Sequence, residues 1–151
     1  MSRIDVFLDS SALFAGAASS SGASRALLLL AEADQVTITV SEQVVTETER
    51  ALARKLPDAL RYFREALRSS GLRIVPNPSS EEVRVHKDTV AHSPDVPIVV
   101  AAKNARVGFL ATFNRRHFVD DPEVTVRAGM PIGTPGDALV WVRERLGGEG
   151  E

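Results

Sequence analysis

Short apolar, β-branched runs alternate along this chain with longer segments of helical character, and few architectures accommodate that alternation. Residues 4–8, 36–40, 72–75 and 107–112 read as strands, and residues 124–126 as a short fifth. Helical segments fill the intervals. Residues 24–33 are rich in leucine, and Ser19-Ser20-Ser21-Gly22 breaks the chain before them and is placed to cap them. Ser41 caps a helix that runs to Lys55, Pro57 restarts a second, and Gly71 stops it. Ser79-Ser80-Glu81-Glu82 opens another with its acids at the favourable end of the dipole. Residues 96–105 are apolar on most sides, which predicts burial between layers. Thr134-Pro135-Gly136 starts a last helix with Leu139, Val142 and Leu146 on one face. Strands joined in this way by helices predict an α/β fold of three layers, α/β/α, around a mainly parallel central sheet. At 151 residues the chain fits one domain, residues 1–146, with residues 147–151 as a frayed tail.

Composition removes several kinds of chemistry. The chain has no cysteine, so disulfides, zinc–thiolate sites and thiol catalysis are excluded. His86, His92 and His117 have no spacing that suggests a zinc site, and no Ser–His–Asp or Cys–His arrangement offers a side-chain nucleophile. The charged residues of the N-terminal segment rule out a signal-peptide reading. The longest apolar run, residues 26–31, is far too short to span a membrane. A cytoplasmic location is expected. The net charge of −2 does not advertise a nucleic-acid binder. The basic stretch Arg50, Arg54, Lys55, Arg61, Arg64 and Arg68 is interleaved with Glu49, Asp58 and Glu65, so a solvated helix face explains it. Arg115, Arg116 and His117 form a second basic group.

In parallel α/β sheets, sites form at the carboxyl ends of the strands. Asp9 follows the first strand there, with Ser10 and Ser11 beside it, and Thr112-Phe113-Asn114 follows the fourth. Asp95 stands between Pro94 and Val96-Pro97 at the start of an apolar helix. Glu47 lies two turns into the helix capped by Ser41, beside the apolar stripe of Val44, Thr48 and Leu52, where partial burial of its charge is expected. Each residue has a plain structural explanation. Asp9 and Asp95 can be helix caps, Asn114 can cap a turn, and Glu47 can pair with Arg50 or Arg54. Glu42 and Glu49 are rivals to Glu47 that should face outward. The recurrence of acids at equivalent ends of strands and helices raises the functional reading. Carboxylates gathered from distant segments build sites for hard divalent cations, and such a cation suits phosphodiester chemistry.

These segments together resemble the PIN-domain nucleases, in particular the VapC-type toxins of bacterial toxin–antitoxin pairs. Phe7-Leu8-Asp9-Ser10-Ser11-Ala12-Leu13 is similar to the family's opening motif, an aspartate followed two positions later by Ser or Asn. The segment from Ser41 to Glu47 is similar to the one carrying the second acid, and the segment from Asp95 to Ala102 to the one carrying the third. Leu110-Ala111-Thr112-Phe113-Asn114 resembles the strand before the fourth polar position, and Ile132-Gly133-Thr134-Pro135 the tail before the last helix. Many relatives place Thr-Gly-Asp where this chain has Thr112-Phe113-Asn114. The change removes one negative charge from the fourth position.

The resemblance implies Mg²⁺- or Mn²⁺-dependent hydrolysis of RNA phosphodiester bonds by the toxin of a type II pair. It implies Asp9, Glu47 and Asp95 as metal ligands, with Asn114 completing the catalytic set. Ser11 and Thr112 would support them, Asn114 and Ser11 would orient a water, and Arg115 and Arg116 would contact phosphates. A cognate antitoxin and a homodimer are the implied partners besides RNA. Two other readings stay open. One is a PIN-like module that binds RNA or protein without catalysis. The other is a phosphatase of the haloacid dehalogenase type, which Phe7-Leu8-Asp9 superficially resembles; that motif needs a second aspartate where Ser11 stands.

Overall fold

The computed structural model describes residues 4–69, 71–89, 95–114 and 123–149. Its centre is a five-stranded sheet in the order β3-β2-β1-β4-β5, parallel throughout. The strands are β1 (Asp5–Leu8), β2 (Thr37–Ser41), β3 (Arg73–Val75), β4 (Phe109–Ala111) and β5 (Ile132–Gly133). β1, in the middle, is buried along its whole length. That explains its continuous apolar run, since a strand covered on both faces does not alternate.

The helices are α1 (Ser10–Ala18), α2 (Ala23–Glu32), α3 (Glu42–Lys55), α4 (Leu60–Ser69), α5 (Ser80–Val85), α6 (Val96–Ala105), α7 (Val124–Ala128) and α8 (Pro135–Glu149), with a 3₁₀ turn at Pro57–Ala59. From β1 the chain steps outward to β2 and β3, then crosses back past β1 to β4. Right-handed crossovers then place the helices after β1 and β2 on one face and those after β3 on the other. The reversal between β1 and β4 is the topological switch point, and in parallel α/β sheets sites form there, at the strands' carboxyl ends.

Capping matches the sequence signals closely. The Ser41 hydroxyl accepts from Val44 N, and Ser79 and Glu82 form a reciprocal capping box. Thr134 and Asp137 exchange side chain-to-backbone bonds of 3.0 and 3.1 Å at the start of α8. α6 buries seven of its ten residues, as its apolar surface predicts.

Two expectations need correction. Residues 124–126 are not a strand. They open helix α7, because Val124 and Ala128, four apart, are the buried pair, while Val126 is 74% exposed. Gly129, at φ 75°, then closes the helix in the left-handed region. The fifth strand is Ile132–Gly133, two residues too short to show a pattern. The serines before α2 do not cap it; Gly22 stands at the cap with no side-chain bond, and Ser19 bonds to Ser21 instead. The last helix spans Pro135–Glu149. No single helix among the described residues is long and apolar enough to cross a membrane.

Candidate active site

Asp9 begins the site. β1 delivers it, and it caps α1: Ala12 N donates to Oδ1 at 3.0 Å. The capping explanation is therefore correct, but incomplete. The Ser11 hydroxyl donates to the same oxygen at 2.7 Å, and the Thr112 hydroxyl donates to Oδ2. Each hydroxyl in turn accepts a backbone N–H from the turn that follows β4. Phe113 N donates to Ser11 Oγ at 3.0 Å, and Asn114 N to Thr112 Oγ1 at 2.9 Å. Two parallel relays thus run from the turn through a hydroxyl into each oxygen of one carboxylate. They fix the Asp9 plane and tie the end of β1 to the end of β4. The backbone bond from Asp9 N to Ala111 O, 3.1 Å, closes the same seam.

Asp9 is 7% exposed, and Thr112 is wholly buried. Burial pushes the Asp9 carboxyl above its ordinary pKa. The hydroxyls and the Ala12 amide pull the other way, and the negative charge of Asp95 adds to the upward push. No basic side chain pairs with Asp9 among the described residues.

Asp95 stands at the cap position of α6 without a side-chain capping bond, and Pro97 near the helix start needs no amide partner. Its carboxylate instead meets the Asn114 side chain, with Nδ2 3.5 Å from Oδ2. α6 runs back against the strands, so its first residue lies at the same edge of the sheet as Asp9. The structure thereby brings Asp9, Ser11, Asp95, Thr112 and Asn114 together from three separate segments.

Glu47 does not have the partly buried position expected of it; it is exposed. The buried stripe of α3 is Val44, Thr48 and Leu52, and Glu47 projects from its flank. Among the described residues no three acids lie close enough to share one ion. The rivals are engaged elsewhere: Glu42 accepts from Asn77 N at 3.2 Å, and Glu49 pairs with Arg64 at 3.5 Å. That pair and Arg68–Glu65 are exposed, consistent with a solvated face over this basic stretch. Arg115, Arg116, His117, His92 and Pro94 lie outside the described residues. His86 Nδ1 lies 2.9 Å from Glu82 O, within its own turn.

The site's donors are carboxylate, amide and hydroxyl oxygens, a hard set that suits a small divalent cation rather than a thiophilic one. A buried carboxylate that feels a second one, with no basic partner among the described residues, fits such an ion electrostatically. Sequence reasoning overlooked the backbone amides of residues 113 and 114, whose role depends on turn geometry. It also passed over Asp5, whose charge inside an apolar strand was the signal of a buried pair.

The sequence matches the family model described as PIN domain over residues 5–116. No curated protein sequence matches it. Among solved structures, PAE2754 from Pyrobaculum aerophilum superposes with a TM-score of 0.64 at 19% identity, covering 93% of this chain and 90% of that one. VapBC2 from Rickettsia felis, bound to a DNA fragment from its promoter, gives 0.58 at 16%, covering 85% and 96%. The Mycobacterium tuberculosis toxin VapC20, titled as cleaving the sarcin–ricin loop, gives 0.52 at 15%, covering 73% and 90%. At these identities the structural likeness speaks for the fold, and the family match covers most of the sequence. The chain belongs to the PIN domain family.

Proposed function

We propose that this protein is a Mg²⁺- or Mn²⁺-dependent endoribonuclease and the toxin of a type II toxin–antitoxin pair. The observation that carries the reading is Asp9: a buried carboxylate, fixed through both oxygens, under the influence of a second carboxylate and without a basic partner among the described residues. A structural aspartate does not need that arrangement; a cation site does. Asp9 and Asp95 would hold the ion, and Glu47 would join them by rotation of its exposed side chain from α3. When bound, the ion supplies charge neutralisation at the phosphoryl group and a more acidic water.

The chain's own residues do the positioning. Ser11 and Thr112 hold the Asp9 plane, and Asn114 holds Asp95 through its amide nitrogen. Arg115 and Arg116 follow directly in sequence and are proposed to meet the phosphates of the substrate. The RNA substrate class is supported by the VapC20 likeness, and an antitoxin partner by the VapBC2 complex. A homodimer in the cytoplasm is the proposed working form.

The test is cleavage of a generic single-stranded RNA with Mn²⁺, with Mg²⁺ and with chelator. Wild type should cleave only with the ions. Asp9→Asn and Glu47→Gln should fold and fail to cleave. RNA binding without cleavage under all three conditions would favour a non-catalytic module. Full activity of Glu47→Gln would remove Glu47 from the site.

A further inference from the structure

The turn that feeds both relays also carries an apolar side chain with no place in the core. Phe113 is 49% exposed, although Thr112 before it is wholly buried. Its backbone is among the most constrained in the site. Its own N–H is bound to Ser11 Oγ, and the next N–H, of Asn114, is bound to Thr112 Oγ1. A half-exposed aromatic residue is therefore carried next to Thr112 and Asn114 on a backbone held by two hydrogen bonds. Among the described residues the other large exposed apolar residues are aliphatic and lie elsewhere on the fold: Leu29, Leu56, Ile74, Val85, Val126 and Val140.

Resting on the ribonuclease reading, we infer that Phe113 is a stacking platform for one unpaired nucleobase next to the scissile phosphate. The chemistry fits on both sides. Single-stranded RNA offers splayed bases whose faces stack on aromatic rings regardless of sequence. A ring on a hydrogen-bonded backbone loses only side-chain rotamer freedom on doing so. The relays then couple recognition to the reaction geometry, because one short turn carries the ring and donates to both Asp9 oxygens through the hydroxyls. Paired RNA keeps its bases stacked in the helix, so the platform also selects for loops and single strands.

The experiment is steady-state cleavage of a short single-stranded RNA in Mn²⁺, alongside versions carrying one abasic nucleotide at each position flanking the cleaved bond. Phe113→Ala should raise KM roughly five- to hundredfold, the range of one lost stack, with kcat changed much less. Phe113→Trp should restore KM, and Phe113→Leu should not. One abasic position should cost wild type the same factor and cost Phe113→Ala nothing further. An unchanged KM in Phe113→Ala overturns the inference while leaving the ribonuclease reading intact. So does equal rescue by leucine, or an abasic penalty shared by both proteins. No cleavage by wild type in any divalent ion overturns both.

Discussion

Strand β1 carries a buried aspartate at its start and is followed by another at its end, and the protein treats the two in opposite ways. Asp5 is 6% exposed and sits where β1, β2 and β3 run side by side. Thr39 donates to its Oδ1 at 2.7 Å, and the half-exposed Arg73 pairs with its Oδ2 at 3.0 Å. Its charge is neutralised within the sheet. Asp9 is equally buried, receives only neutral donors among the described residues, and is acted on by the charge of another carboxylate, Asp95. Burial alone therefore does not mark a functional acid. What separates the two is whether the fold supplies the compensating cation. At the amino end of the strands it does; at the carboxyl end, beside the switch point, the proposed function assigns that role to a bound cation.

The largest expected contrast is in catalysis. Asp9→Asn keeps the shape and removes the charge, and RNA cleavage should fall by more than the roughly 10–100-fold that supporting contacts to a metal ligand are worth. Asp5→Asn should keep activity per folded molecule. Equal loss in both variants, corrected for folded fraction by circular dichroism, would erase the distinction. Next come the relays. Ser11→Ala and Thr112→Val should each lower kcat about 10–100-fold, because each frees one Asp9 oxygen and one turn amide. A KM effect without a kcat effect would show that the relays serve substrate binding and not the alignment of Asp9.

Stability should respond with opposite signs. Asp5→Asn leaves Arg73 without its carboxylate and should cost about 2 kcal/mol in urea unfolding, less than a fully buried pair because Arg73 is half-exposed. Asp9→Asn, in chelator, should be neutral or gain on the order of 1 kcal/mol by removing a poorly solvated charge. The pH dependence follows the same logic. The folded-state pKa of Asp9 lies above its unfolded value, so the folded state binds more protons between the two. Metal-free wild type should then lose stability as pH rises from the ordinary carboxylate range through the raised pKa, and regain it on acidification. Asp9→Asn should lack that component when melting temperatures of the two are subtracted across the range. A difference that is flat with pH would mean Asp9 is not raised.

Much of this was legible in the sequence, and the exceptions have local causes. The strand–helix alternation is strong because a parallel sheet needs buried strands and long crossovers, and residues 96–105 show it most clearly. β5 was not legible, since two residues carry no period, and the β-branched Val124-Thr125-Val126 imitated a strand while its burial followed the helical spacing. At the site, Asp9, Asp95 and Asn114 were readable as termini of apolar segments. The exposure of Glu47 was not, because it depends on which flank of α3 the neighbouring helix covers. The relays were invisible for a different reason: half of each is backbone, and sequence does not show where an N–H points.

The most direct measurement is Mn²⁺ titration by calorimetry of wild type, Asp5→Asn and Asp9→Asn. The account predicts saturable binding to wild type and to Asp5→Asn with the same affinity, and none to Asp9→Asn, with a matching rise in melting temperature only where the ion binds. Undiminished binding to Asp9→Asn, or its loss in Asp5→Asn under conditions where that variant is folded, would contradict the claim that the fold leaves the Asp9 charge for a cation to complete.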